Sequence, residues 1–359
     1  MPRALILGGT GLIGAATVRR LLAAGWRVDA AGRDPARMSA GLVAGGARFI
    51  AADRADPAQL HAALGGGADL LVDCVCYTAA DARTLLPLAA DCASTVMLSA
   101  KAVYVDAKGR HVNSLEPPRF EGPVPETQPT MAPGDMDYQT REGYGANKVA
   151  AERVLLDSGL PVTVIRPSKV HGPGSPRPRE WVFAKRALDR RPVVFLAGRG
   201  AGVDHNTAAA NIAALVETVA AQPGTRVLNC ADPDARSAQE ISRIVAAHLG
   251  HRFGEILLDD NDPAAVQGLG GHPWSARYPI VLDMTAALAL GYVPAGDYRA
   301  TVAAELDWLA AAHGPVAADG SGVTLPPGCD TEFFAAMTDY AAEDRFLADV
   351  GVSERVQHR

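Results

Sequence analysis

Tyr144 and Lys148, in the run Tyr144-Gly145-Ala146-Asn147-Lys148, place a phenol and an ammonium four residues apart. On a helix that spacing puts both on one face. A phenol, with a pKa near about 10, exchanges protons poorly at neutral pH, and an adjacent cation stabilises its ionised form. The pair is therefore suited to moving a proton; the plainer reading is a solvated pair on an amphipathic helix. A second feature opens the chain, where Ala4-Leu5-Ile6-Leu7 runs into Gly8-Gly9-Thr10-Gly11-Leu12-Ile13-Gly14. Glycine is needed where the chain turns sharply, where backbone approaches a pyrophosphate and where helix packs on strand. The following helix offers free N–H groups and its positive end to phosphates. Gly8, Thr10, Gly11, Leu12, Ile13 and Gly14 are thus read as a dinucleotide-binding turn.

The end of the second strand chooses between two dinucleotides. An acid there grips the ribose hydroxyls of NAD, whereas an arginine accommodates the 2′-phosphate of NADP. Here Val28-Asp29-Ala30-Ala31 leads into Gly32-Arg33-Asp34, with Arg37 one helical step on. With Gly32 at the discriminating position, Arg33 and Arg37 favour NADP, and NAD is the alternative. Asp34 then caps the next helix, with Pro35 at its first position. Asp53 either meets the adenine or caps a helix together with Asp56; Arg54 and Pro167 complete the expected cofactor contacts.

Those residues need a scaffold. Apolar runs at Ala4–Leu7, Arg27–Ala31, Arg48–Ala52, Leu70–Val75, Thr95–Leu98 and Val162–Arg166 alternate with helical patterns such as Leu12–Ala24 and Thr84–Ala90. That alternation predicts an α/β chain, a Rossmann-type doubly wound parallel sheet with a smaller C-terminal substrate domain. Residues 1–166 form the expected dinucleotide-binding domain, with a long Pro- and Gly-rich loop at 105–140. Residues 167–310 are mainly substrate-binding. Residues 311–359 are a tail, whose small polar stretch at 317–322 leads to a terminal helix near Thr331–Val350. In that helix Phe333, Phe334, Met337 and Phe346 need a surface to pack on.

Together these motifs resemble the extended short-chain dehydrogenase/reductases of the NAD-dependent epimerase/dehydratase group. The likeness is carried by Gly8–Gly14, Leu98-Ser99-Ala100-Lys101-Ala102-Val103-Tyr104, Tyr144 to Glu152, Arg166-Pro167-Ser168-Lys169-Val170-His171-Gly172-Pro173-Gly174, Leu282-Asp283 and Leu290-Gly291-Tyr292-Val293-Pro294. It spans about residues 3–310. The resemblance implies that Tyr144 is the general acid/base and Lys148 its activator and ribose ligand. It also implies a Ser or Thr after the fifth strand that holds the substrate oxygen. Counting back from Val103-Tyr104, that hydroxyl falls at Ala100, and Ser99 is one residue early. Neighbouring strand positions face opposite sides. Ser99 therefore joins the catalytic set only where the strand has ended or bulges; otherwise it caps local backbone and the trio is incomplete. The family's Pro-Val-x-Glu-x-x-Pro element stands at Pro123–Pro129 inside an enlarged loop, which is either a lid or surface decoration. Lys169-Val170-His171 replaces the Asn-Val-Tyr that sugar-nucleotide members often carry.

Further substrate candidates are Tyr77, Lys169, His171, Trp181 and His205, with Cys76 and Arg179 behind them. Tyr77 and His171 stand out because both follow the carboxyl ends of strands, where open α/β sheets bind ligands. The net charge of −6 and the absence of a basic stripe exclude nucleic acid and anionic membrane as main partners. Five cysteines without metal spacing predict no metal and reduced thiols. No apolar run is long enough to span a bilayer, and no signal peptide is expected. The leading expectation is a cytoplasmic, homodimeric, NADP-dependent oxidoreductase acting on the alcohol or carbonyl of a small polar metabolite. The alternatives are a nucleotide-sugar epimerase or dehydratase, and a non-catalytic cofactor-binding or regulatory protein.

Overall fold

The computed structural model describes residues 1–314 and 325–350. The chain runs β1 (Arg3–Leu7), α1 (Leu12–Ala23), β2 (Arg27–Gly32), α2 (Ala40–Ala44), β3 (Arg48–Ala51), α3 (Pro57–Leu64), β4 (Ala68–Asp73), α4 (Ala79–Ala90), β5 (Cys92–Leu98), α5 (Arg141–Leu156), β6 (Val162–Pro167) and β7 (Lys169–His171). It continues through α6 (Trp181–Leu188), β8 (Val193–Leu196), β9 (Asn206–Ala208), α7 (Ala209–Ala220), β10 (Arg226–Cys230), α8 (Ala238–His248) and β11 (Gly254–Leu257). The last helices are α9 (Pro263–Val266), α10 (Thr285–Ala289), α11 (Tyr298–Ala312), α12 (Glu332–Met337) and α13 (Tyr340–Val350). Two compact units result. The first comprises Met1–Val170, Thr207–Pro233 and Val281–Gly296, the second His171–Asn206, Asp234–Ile280 and Asp297–Arg359.

The first unit holds a seven-stranded parallel sheet in the order β10-β6-β5-β4-β1-β2-β3. The expected doubly wound Rossmann sheet is therefore present. Strand alternation sorts its side chains onto two faces. Ala4, Ile6, Val28, Ala30, Val72 and Val96 share one core with residues of α1 and α7. Leu5, Leu7, Leu71, Met97 and Val164 share the other with α3, α4 and α5. Helix α1 buries Gly14, Thr17, Val18 and Leu21, the one-sided spacing of an amphipathic helix. Leu21→Ala would cost about 2–5 kcal/mol through lost transfer energy and the cavity left behind. The six apolar runs are all strands. The seventh, β10, joins the sheet beside β6 from more than sixty residues further along the chain.

The 105–140 loop is anchored rather than loose. Val124 is 1% exposed, its N–H donates to Val281 O at 2.7 Å, and Asp283 N–H returns a bond to Val124 O. Glu126 accepts from Asn229 N–H at 2.7 Å, while the Asn229 side chain bridges Tyr104, Val124 and Asp283. Pro123–Pro129 is thus a strut of this unit, neither a free lid nor decoration.

The second unit packs Trp181, Phe183, Trp274, Tyr298 and Leu306 into its own core, beside a two-stranded parallel ribbon of β8 and β11. The expected terminal helix is two helices, α12 and α13, broken at Thr338–Asp339. Phe334 is buried and Phe346 meets Phe195 edge-on at 5.4 Å, so the tail finds its surface here; Phe333 stays 38% exposed. The polar stretch at 317–322 lies outside the described residues. Among the described residues no helix is long and apolar enough to cross a membrane.

Candidate functional site

At the carboxyl ends of β1 and β2 the glycine turn does what its residues require. Gly8 adopts φ +76°, in the left-handed region that favours glycine. A Cβ on Gly14 would lie 2.2 Å from Gly8 O, so α1 can start this close to the turn only with glycine there. Gly11 caps α1 without any side-chain acceptor, which leaves the helix's first N–H groups for a ligand. Beside the turn lies a cleft of about 650 Å³. Gly8, Thr10, Gly11, Gly32, Arg33, Arg37, Asp53, Arg54 and Tyr77 line it, joined by Thr78, Asp81 and Tyr138. Leu12, Ile13 and Gly14 form the first turn of α1 behind it. Pro167 closes β6, paired with Cys230 of β10.

Around the cleft the acids divide their roles. Asp29, wholly buried in β2, is held by Arg3 at 2.8 Å and Arg48 at 2.7 Å. Burial pushes its carboxyl upward, but the two guanidiniums outweigh that and hold it below its ordinary value. Asp34 accepts from Ala36 N–H and caps a short 3₁₀ turn, Pro35–Arg37, rather than a full helix. Asp56 caps α3, while the Asp53 carboxylate accepts a local bond from Ala55 N–H and the residue lines the cleft. Arg54 pairs with buried Asp73 at 2.7 Å and donates to Asp81 O at 2.7 Å. Its Nε and Nη1 have no hydrogen-bond partner. A cleft with free helix N–H groups and a glycine cradle suits a dinucleotide diphosphate.

The proton-handling pair sits on α5, which Thr140 starts by accepting from Gly143 N–H at 3.0 Å. Gly145 lets α5 lie against the chain after β5, because a Cβ there would come within 2.6 Å of Ala102 O. Lys148 is 2% exposed and donates to Cys76 O at 2.7 Å and Leu98 O at 2.8 Å, at the ends of β4 and β5. Burial lowers its pKa, with Cys76 and Asp73 opposing. Its ammonium also stands 4.4 Å from the centre of the Tyr77 ring, which stacks on Tyr138 at 5.1 Å and 14°. Tyr144 is pushed up to about 12 by burial and by the Tyr77 phenol.

Ser99 is 5% exposed, just past the end of β5, and its hydroxyl donates to Glu152 Oε1. Glu152 is in turn gripped by Arg166, whose Nε lies 3.0 Å from the same oxygen. Ala100, extended at φ −161°, supplies no hydroxyl.

The remaining candidates are spread out. Cys76 is core, and Lys169 is half-buried on β7. In the second unit, Trp181 is 1% exposed and anchors α6 in the core, with His313 edge-on at 5.4 Å. His205 is buried, its backbone N–H on Ile280 O. His171 is buried beside Tyr298, ring centres 5.2 Å apart. Burial lowers the pKa of Arg179. Sequence reasoning missed Tyr138 and Asp81 on the cleft, and Glu180 and Glu305 beside His171. The Thr78-x-x-Asp81 capping box was a readable signal for Asp81; nothing local marked the others.

The profile of the NAD dependent epimerase/dehydratase family matches residues 4–203. Among solved structures, dTDP-glucose 4,6-dehydratase of Bacillus anthracis, in complex with NAD, is similar with a TM-score of 0.62 and 16% identity, covering 86% of this chain and 96% of that one. UDP-glucose 4-epimerase of Thermus thermophilus, also with NAD, gives 0.60 and 18% over 85% and 98%. The Thermotoga maritima UDP-glucose 4-epimerase with UDP-glucose gives 0.62 and 17% over 85% and 98%. No curated protein matches the sequence. The glycine turn, the seven-stranded sheet and the family match agree: this chain belongs to the NAD-dependent epimerase/dehydratase family and is a nicotinamide-dinucleotide-dependent enzyme of the extended short-chain dehydrogenase/reductase type.

Proposed function

We propose that the protein is an NADP-preferring oxidoreductase acting on the alcohol or carbonyl of a small polar metabolite. The observation that carries the cofactor choice is the rim of the cleft. Asp29, the acid of β2, is committed to Arg3 and Arg48, while Arg33 and Arg37 line the cleft where a 2′-phosphate would be read. Gly8, Thr10, Gly11 and Arg54 would hold the diphosphate, and Asp53 the adenine. When bound, the nicotinamide supplies a hydride acceptor or donor.

The chain's own residues handle the proton and the substrate oxygen. Tyr144 exchanges the proton of the reacting hydroxyl, and Lys148, on the same face of α5, stabilises the phenolate and holds a ribose hydroxyl. Ser99 keeps the Glu152–Arg166 pair in place. Tyr77, close enough to Tyr144 to raise its pKa, supplies the second hydroxyl that Ala100 lacks. Lys169 belongs to the substrate side of the proposal, together with a homodimeric assembly in the cytoplasm.

A second reading, a nucleotide-sugar epimerase or dehydratase, is favoured by the similar structures that hold NAD or UDP-glucose. It uses the same Tyr144 and Lys148. Turnover assays on a panel of small alcohols, ketones and nucleotide sugars separate the two. Stoichiometric change in the absorbance of reduced nicotinamide supports the oxidoreductase. Sugar turnover without net change in that absorbance supports the epimerase and contradicts the first reading. Full activity in Tyr144→Phe contradicts the acid/base role in both, and cofactor binding without turnover of any of these substrates would support a non-catalytic cofactor-binding regulator.

A further inference from the structure

In the second unit, three side chains from distant parts of the chain converge: His171 at the end of β7, Glu180 just before α6 and Glu305 midway along α11. They are 2%, 1% and 0% exposed. One donor atom of each lies within 4.8 Å of the other two, and His171 Nδ1 is 3.8 Å from Glu305 Oε2. Two wholly buried carboxylates this close repel each other and have lost their water, a cost of several kcal/mol per ion that calls for a compensating charge.

The hydrogen bonds present are the outer supports of such a site rather than that charge. Gly172 N–H donates to Glu305 Oε2 at 2.6 Å, fixing one oxygen. The other oxygen, Oε1, is buried and has no hydrogen-bond partner. Tyr298 O–H donates to Glu180 Oε1 at 3.2 Å and presents its ring edge to His171. Backbone N–H and tyrosine hydroxyl groups commonly orient metal-binding carboxylates in this way. The positive field of the Arg179 guanidinium favours the charged form of both carboxylates.

We propose that His171, Glu180 and Glu305 bind one divalent first-row cation, zinc by donor type. One imidazole and two carboxylates suit zinc, with manganese next; bonds of about 2.0–2.2 Å bring three donors together with a modest contraction of the cluster and leave a fourth position open. Burial raises the Glu305 carboxyl well above its ordinary range, with Glu180 adding to it, so the competing arrangement is a proton shared between the two glutamates. Arg179 offsets part of the negative charge, and a bound cation would offset the rest. The residues are scattered over 171–305, which is why no metal spacing is visible in the sequence.

The test uses the untagged full-length protein, stripped with a chelator and dialysed. Elemental analysis after equilibration with zinc chloride is expected to give one zinc per chain, with saturable calorimetric binding and a rise in Tm. Cobalt chloride is expected to give the visible absorption of a low-coordinate cobalt site. Glu305→Gln, the same size and still able to accept from Gly172 N–H, is expected to weaken zinc binding by roughly a hundredfold or more. Two results overturn the proposal. One is a stripped wild type with no saturable zinc uptake and no cobalt absorption, which does not depend on any variant folding. The other is Glu305→Gln binding zinc as tightly as wild type. A stripped wild type that takes up no zinc, with a higher Tm in Glu305→Gln, would assign the cluster to a shared proton.

Discussion

The ammonium of Lys148 lies 4.4 Å from the centre of the Tyr77 ring while donating to Cys76 O and Leu98 O. Tyr77 thereby links the proton-handling helix α5 to the cleft beside the glycine turn, and its stacking on Tyr138 adds the end of the 105–140 loop. Removing the hydroxyl alone separates its chemistry from its packing. Tyr77→Phe keeps the stack and the cation contact, so it should lower kcat by about a hundredfold, the usual cost of one oxyanion donor, with cofactor affinity unchanged. Steady-state kinetics beside calorimetry check this. A kcat within twofold of wild type would remove Tyr77 from the chemistry.

Ser99 should behave in the opposite way. Its hydroxyl serves Glu152 within a buried ion pair with Arg166. Ser99→Ala should leave kcat nearly unchanged and lower stability by about 1.5–3 kcal/mol, the worth of a hydrogen bond to a charged group. Urea unfolding with parallel kinetics distinguishes this from a catalytic role, which would collapse kcat at unchanged stability.

Asp73 is buried and neutralises Arg54, which is itself largely covered. Asp73→Ala leaves that guanidinium without its counter-charge and should destabilise the protein by about 3–5 kcal/mol. An unfolding midpoint equal to wild type would show that other groups carry the charge.

Much of this was legible from the residues. Period-two alternation and glycine spacing are local, so six strands, the turn and the face shared by Tyr144 and Lys148 could be read directly. β10 could not, because its pairing with β6 is a long-range choice of sheet edge that no local pattern encodes. The same holds for the strut at Pro123–Pro129, whose partners are Asn229 and Asp283. Ser99 was ambiguous in sequence because its role turns on where β5 stops and which way one hydroxyl points. The His171–Glu180–Glu305 cluster was invisible for the same reason as β10: only the fold brings its members together.

Tyr144 also makes a pH prediction. Its phenol ionises near about 10 when unfolded and at about 12 in the folded chain, raised by burial and by Tyr77. The folded state therefore favours the protonated phenol. Its contribution to stability is complete below pH about 10 and is lost as pH rises through about 12, where the unfolded chain has already released the proton. Urea unfolding across that window should show stability falling less steeply in Tyr144→Phe than in wild type. Parallel curves would contradict the assignment.

The cleft beside Gly8–Gly14 is expected to hold a dinucleotide whose 2′-phosphate meets Arg33 and Arg37. Calorimetric titration of NADP and NAD into wild type and Arg33→Ala tests it most directly. Wild type should bind NADP the more tightly, and Arg33→Ala should lose about tenfold or more toward NADP, the worth of a charge-assisted hydrogen bond, while binding NAD as before. Tighter binding of NAD, unaltered by Arg33→Ala, would contradict the claim.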